Sequence, residues 1–269
     1  MSNWAGTWKD ILQGGNPRWK ITSEECHAKA YTHFTKYVPL DRNTSHNNNN
    51  HHHCEEKKNH ISVLCPLAGD DPFIFLLYQK GYSVTAIDIV EDAINALKQR
   101  FDQDSPDTTN TTATAAADAS SCCCWTKTLE PDGDLIWKHR NGRVTFIVGD
   151  VTKPRPAFVN SFDAVYDKDS FGALPMTVRP AFCHRMLEYT KDRAILYLEC
   201  KVKPGHHDAT TVDTMGPPYS LRYEDIMDPT NYGGTNKFEY IAGLGPVYDL
   251  PSQMGGMQQT GHILQRTER

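Results

Sequence analysis

ISVLCPLAGDDPFIFLLYQKGYSVTAID, residues 61–88, decides the fold. Ile61, Val63 and Leu64 form the short apolar run of a strand buried on both faces, and Pro66–Asp71 breaks it. Phe73, Leu76 and Leu77 then recur at helical spacing, with Gly81 where a helix C′ residue stands. Val84, Ala86 and Ile87 carry a second strand that ends on Asp88. Strand, acidic loop, helix, strand is half of a doubly wound nucleotide-binding fold. In such a fold Gly69 lets the backbone approach a ligand, and Asp88, about 20 residues on, is placed to bond ribose hydroxyls.

Downstream, Glu91–Phe101 sets Ile94, Leu97 and Phe101 on one face of an amphipathic helix. Residues 102–133 are rich in Thr, Ala, Ser and Asp and read as a low-complexity insertion; the adjacent Cys122, Cys123 and Cys124 lack zinc-site spacing. Order resumes at Leu135-Ile136-Trp137. Val144–Val148 is a third strand ended by Gly149-Asp150, where Asp150 either faces the crevice shared with Gly69 and Asp88 or caps the following turn. Phe162–Asp167 is a fourth strand with an acidic exit. Met176–Tyr189 is a helix with Pro180 near its start, and Ala194–Cys200 is a fifth strand. A short helix over residues 221–227 and an antiparallel pair, Phe238–Ala242 and His262–Gln265, close the chain. The expected architecture is α/β, a Rossmann-like doubly wound sheet of about seven strands, mostly parallel with an antiparallel closing strand.

Upstream, residues 1–42 read as an N-terminal helical cover whose Trp4, Trp8 and Trp19 are either core anchors or a lid over a ligand. Residues 43–60 hold an Asn/His-rich stretch without apolar periodicity, expected as a disordered insertion; three adjacent histidines do not make a structural metal site, and no metal is expected. The 269 residues are read as one domain, residues 1–269. A net charge of −5 supplies no basic field, so a nucleic-acid partner is not expected. Mean hydropathy is −0.57 and no apolar run reaches membrane-span length, so no membrane partner is expected either. Without a basic-then-apolar leader, and with Cys65 and Cys200 inside core strands as free thiols, the expected compartment is the reducing cytoplasm.

Four segments carry a family resemblance: Arg18-Trp19 in NPRWKITSEECH, VLCPLAGDD at 63–71, FDAVYDKDSFGALPMTVRP at 162–180, and GPPYSL at 216–221. In order and separation they resemble the thiopurine S-methyltransferase family of class I S-adenosylmethionine-dependent methyltransferases. The resemblance implies S-adenosyl-L-methionine as cofactor, S-adenosyl-L-homocysteine as product, a small-molecule methyl acceptor and a monomer. It implies that Trp19 packs near the cofactor, that Leu67 and Gly69 line its methionine end, and that Asp88 with Ile89 holds the ribose. Asp150 and Val151 would lie near the adenine, Asp167 beside the sulfonium, and Arg179 on the acceptor side. The chain departs from the family's CGKS with Ala68-Gly69-Asp70-Asp71, and from its usual Glu with Asp88, which makes the cofactor mouth more negative.

Methyl transfer from a sulfonium is an in-line displacement that needs mainly alignment and exclusion of water. The expected reaction methylates a small sulfur acceptor, a thiol or thioether, with halide or selenium species related. Arg179 is the candidate cation that lowers a thiol's pKa or anchors an acceptor carboxylate; the plain alternative is a surface arginine at a helix start. An O- or N-methyltransferase using His206 or His207 as base, or a silent cofactor-binding interaction protein, are the alternatives.

Overall fold

The computed structural model describes residues 23–40, 60–103, 124–205, 216–250 and 256–268. Trp4, Trp8, Trp19, His206, His207 and Cys122-Cys123 therefore lie outside the described residues, as do 104–123. A nine-stranded sheet is the framework, in the order β3-β4-β5-β2-β1-β6-β7-β9-β8. Its strands are β1 (Ser62–Pro66), β2 (Ser83–Asp88), β3 (Trp125–Leu129), β4 (Leu135–His139), β5 (Val144–Val148), β6 (Phe162–Lys168), β7 (Thr190–Val202), β8 (Phe238–Tyr248) and β9 (Gln258–Arg266).

The five central strands, β5-β2-β1-β6-β7, pair in parallel. Strand order reverses direction between β1 and β6, and that switch point opens a crevice beyond the strands' carboxyl ends. Nine strands replace the expected seven because an antiparallel pair, β3 and β4, extends the sheet beyond β5; the expected closing pair, β9 and β8, lies beyond β7. The stretch 102–133 is correspondingly shorter as an insertion than expected. Asp102 and Gln103 finish a helix, and Trp125–Leu129 is strand β3, paired with β4. Trp125 earns that place by stacking on Phe146 at 5.0 Å and donating its Nε1–H to Asp102 at 2.6 Å. At the opposite edge, β8 carries three register irregularities, at Tyr240/Ala242, Gly243/Gly245 and Pro246/Tyr248.

Helices α1 (Glu24–Tyr37), α2 (Pro72–Gln79) and α3 (Glu91–Gln103) cover one face. Helix α2 starts because Asp71 accepts from the Phe73 amide at 3.0 Å and Pro72 needs no amide partner in the first turn. It stops at Gly81, φ +109°, with the Gly81 and Tyr82 amides bonded back to Tyr78 and Leu77 carbonyls, a Schellman closure. His60 Nδ1 meets the Gly81 carbonyl at 3.0 Å, joining the chain just ahead of β1 to the end of α2. On α1, Phe34 is fully buried and meets Phe73, Tyr82, Tyr166 and Tyr197 edge to face, fastening the helix to strands β6 and β7. The other face is covered by α4 (Ser170–Ala173), α5 (Arg179–Tyr189) and α6 (Tyr223–Ile226), through Phe171, Phe182, Met186, Tyr189 and Ile226.

Candidate functional site

The crevice at the switch point is an open cleft with about 790 Å³ of empty space, open solvent included. One wall is the loop after β1. Leu67 and Gly69 both adopt positive φ, +43° and +55°, so this loop turns sharply enough to aim its amides at the tip of β2. There the Ala68 amide bonds the Ile87 carbonyl at 3.1 Å, and the Gly69 amide bonds Asp88 Oδ2 at 2.8 Å. The Val90 amide takes the other oxygen at 2.9 Å. Asp88 is 6% exposed, and burial pushes its pKa up against the pull of these amides. Two carboxylate oxygens offer about four acceptor positions, so two amides leave room for a pair of ligand hydroxyls. Ile89, 58% exposed, supplies an apolar wall beside it.

The facing wall comes from the end of β6 and from α4: Lys168, Asp169, Ser170 and Ala173, with Pro218 packed beside α4 at Gly172. Lys168 stands 3.6 Å from Asp71, which also receives the Tyr166 hydroxyl at 3.2 Å. Burial works against the Lys168 charge, but Asp71, Asp169 and Glu199 outweigh it and hold its pKa above the ordinary value. Ser170 Oγ donates to the Pro66 carbonyl at 2.7 Å and ties the two walls together.

Four of the residues singled out from sequence, Leu67, Gly69, Asp88 and Ile89, meet in this cleft. Four described ones do not line it. Asp150 stands at the end of β5 but spends Oδ1 on the Thr152 amide and hydroxyl, at 2.8 and 2.7 Å, the turn-capping alternative. Val151 is buried in the core beneath it. Asp167 is fully buried on the far face of β6, where Oδ1 receives the Ser170 and Phe171 amides at 2.9 and 3.4 Å and caps α4. Arg179 is not a surface arginine. It is buried, bonds the Leu174 carbonyl through Nε at 3.1 Å, and lays its guanidinium 5.1 Å from the Phe171 ring and 5.8 Å from the Tyr219 ring. Burial lowers its pKa.

Sequence reasoning missed Lys168, Asp169, Ser170, Ala173 and Pro218. Strand alternation carried the signal: consecutive residues point to opposite faces, so if Asp167 is buried then Lys168 is the one that reaches the cleft. A further support lies behind the β5 loop. The Gly149 amide bonds the Asp88 carbonyl at 2.8 Å, and Arg155 Nη2 meets Asp134 at 2.5 Å in a buried pair from the β3–β4 turn. A Cβ on Gly149 would lie 2.3 Å from Asp134 Oδ1, so only glycine permits that approach.

The family model for thiopurine S-methyltransferase (TPMT) matches residues 34–230. The chain belongs to the thiopurine S-methyltransferase family. A relative named thiopurine S-methyltransferase, from Legionella pneumophila strain Philadelphia 1, is 28% identical over 164 residues, which span 61% of this chain and 61% of that protein. Solved structures share the architecture. Magnesium protoporphyrin IX methyltransferase from Synechocystis PCC 6803 gives a TM-score of 0.53 at 14% identity, covering 99% of this chain and 92% of that one. The 1,6-didemethyltoxoflavin-N1-methyltransferase of Burkholderia thailandensis gives 0.53 at 12% identity, covering 98% and 84%. The fold of this thiopurine S-methyltransferase family member is thus the Rossmann-like fold of class I methyltransferases. Among the described residues, no helix is long and apolar enough to cross a membrane.

Its cleft fits S-adenosylmethionine by donor chemistry. Asp88 would accept ribose hydroxyls, with Ile89 beside it, and the left-handed Leu67–Gly69 backbone would line the methionyl end. Carboxylates at Asp70 and Asp71 suit a sulfonium cation.

Proposed function

We propose that this protein transfers the methyl group of S-adenosylmethionine to a small sulfur acceptor, a thiol above all. The observation that carries the reading is Lys168, the one cation among the described residues that line the cleft, on the wall facing Asp88. The bound cofactor supplies an electrophilic methyl carbon on a sulfonium. The chain's own residues supply alignment and charge. Asp88 and the Leu67–Gly69 loop fix one reactant, and α4 with Pro218 walls off water on the acceptor side. An ammonium at Lys168 favours the thiolate over the thiol, whose unperturbed pKa is about 8.5, and the thiol proton leaves to solvent before attack. As the new carbon–sulfur bond forms, the bond to the sulfonium breaks. The thioether product and S-adenosylhomocysteine are both left without the charges that attracted their precursors. Arg179 supports the acceptor side from behind, through Phe171 and Tyr219, rather than reaching the cleft itself.

The test is S-adenosylhomocysteine formation across aromatic thiols, aliphatic thiols, thioethers, hydrogen sulfide, iodide, phenols and amines, with the Asp88→Ala protein as blank. Turnover confined to sulfur acceptors, with Lys168→Met moving the rate's pH dependence upward, supports the reading. Turnover only on phenols or amines overturns the acceptor class, and cofactor binding with silence across the whole panel overturns the activity.

A further inference from the structure

Asp169 lines the cleft with its backbone in the left-handed region, φ 63° and ψ −2°, which Asp enters more readily than most residues with a Cβ but still at a cost. Something must hold it there. Its carboxylate is gripped from beneath the sheet's end: Lys201 Nζ stands 2.7 Å from Oδ2, and Gln259 Nε2 donates to Oδ1 at 3.1 Å. Lys201 is 2% exposed and Gln259 0%, and the two are direct cross-strand partners on β7 and β9. The Asp169 amide is bonded to the Glu199 carbonyl at 2.9 Å, and the Ala173 amide closes back on the Asp169 carbonyl at 2.8 Å. The next residue, Ser170, reaches Pro66, which precedes the second left-handed residue of the cleft, Leu67.

A fully buried ammonium and amide are a poor choice for sheet stability alone, because a well-packed apolar pair of similar volume is commonly as stable or more so. Their geometry explains their presence better. We propose that Lys201 and Gln259 are positioning residues that keep the Asp169–Ala173 floor of the cleft preformed, and through Ser170 keep the Leu67 loop in its strained shape before ligand arrives. The chain of contacts runs from β9 and β7 through Asp169 and Ser170 to Pro66. Strain of this kind persists only where its surroundings over-determine it. Preforming the floor raises ligand affinity by removing the cost of ordering it on binding. The inference rests on the reading that S-adenosylmethionine occupies this cleft.

The experiment compares wild type, Lys201→Met and the double variant Asp169→Gly with Lys201→Met. Two readouts are taken: calorimetric affinity for S-adenosylhomocysteine, and amide hydrogen exchange over 167–175, with 195–198 in the central part of β7 as internal reference. Removing Lys201 alone takes the close ion pair from a buried carboxylate and leaves Gln259 as its donor. The expected result is about tenfold weaker affinity and about tenfold faster exchange in the floor, with the reference unchanged. In the double variant no charge is stranded, but the grip on residue 169 is still absent and glycine frees the backbone, so exchange over the floor stays about tenfold fast. Wild-type values in Lys201→Met overturn the proposal, as does equal acceleration over 195–198 or a double variant whose floor exchanges at the wild-type rate, which would make the stranded charge rather than the lost grip the cause. If Lys201→Met does not fold, Gln259→Met makes the same comparison with a smaller expected effect. Failure of wild type to bind S-adenosylhomocysteine overturns the cofactor reading instead, and the exchange comparison still decides the lock.

Discussion

Replacing Asp167 with Asn isolates one buried carboxyl and gives a sign as well as a size. Asp167 is fully buried; one oxygen caps α4 and the other, Oδ2, has no hydrogen-bond partner among the described residues. The groups around it are Cys183 on α5, Cys200 on β7, Tyr232 and the Asp169 carboxylate. Arg179 acts on the same two cysteines but does not offset the burial of Asp167. Burial is the main cause that raises its pKa from the ordinary 3.8 to about 7, with Asp169 adding to the rise and the Ser170 and Phe171 amides opposing it. A folded pKa above the unfolded one means that the native state holds this proton more tightly. The stabilisation is therefore complete below the unfolded pKa and is lost as pH rises through about 7. The full rise corresponds to ~4 kcal/mol at 1.36 kcal/mol per pH unit, of which ~2–3 kcal/mol falls between about pH 5 and about pH 8. Asparagine keeps an oxygen for the two amides, places an uncharged NH₂ where Oδ2 stands, and does not titrate. The stability of Asp167→Asn relative to wild type is thus expected to grow by ~2–3 kcal/mol over that range, read by urea unfolding at each pH. Glu199, also raised to about 7 by burial, titrates in both proteins and cancels from the difference. A difference that stays constant with pH refutes the argument. Affinity for S-adenosylhomocysteine is expected to hold within about threefold, since Asp167 does not line the cleft, and a tenfold loss would return it to the cofactor site.

Asp88→Ala strands the Gly69 and Val90 amides and removes the ribose acceptor, so calorimetry is expected to show S-adenosylhomocysteine bound about 10- to 100-fold more weakly, with Asp88→Asn in between. Unchanged affinity in the alanine variant removes Asp88 from the site. Arg155→Met leaves Asp134 with Lys153 alone, at 3.3 Å, and is expected to cost about 1–3 kcal/mol in thermal or urea unfolding, while Arg155→Met with Asp134→Leu costs less. A double variant no more stable than the single would show that the pair contributes by packing rather than by charge.

How much of this was legible depended on whether the information was local. The strands β1, β2, β5, β6 and β7 announce themselves because parallel strands buried on both faces read as apolar runs, as in Val144–Val148. Strand β3 did not, because WTKTL is an edge strand with a single anchoring ring, and its other four side chains face solvent. Strand β8 was expected to stop at Ala242; it continues through Gly243, Gly245 and Pro246 because its irregularities absorb residues that ordinary pairing rejects. In the site, Leu67, Gly69, Asp88 and Ile89 were readable because one strand–loop–helix–strand unit contains them all. Lys168, Asp169 and Ser170 come from a second unit about a hundred residues on, and only the parallel pairing of β1 with β6 brings them opposite. Asp167 and Asp150 carried the right residue type at the right strand ends. Their side chains are consumed by local capping, which residue type alone does not reveal.

The two outer strands of the sheet have a consequence for the molecule's behaviour at high concentration. An open sheet ends in rows of unpaired amides and carbonyls that invite a strand from another molecule. Here β3 offers only five residues, with Lys127 among them, and β8 is interrupted three times and carries Pro246, which has no amide to donate. Neither rim presents a long flat template, so a nine-stranded sheet is kept from growing into a fibril by the irregularity of its own borders.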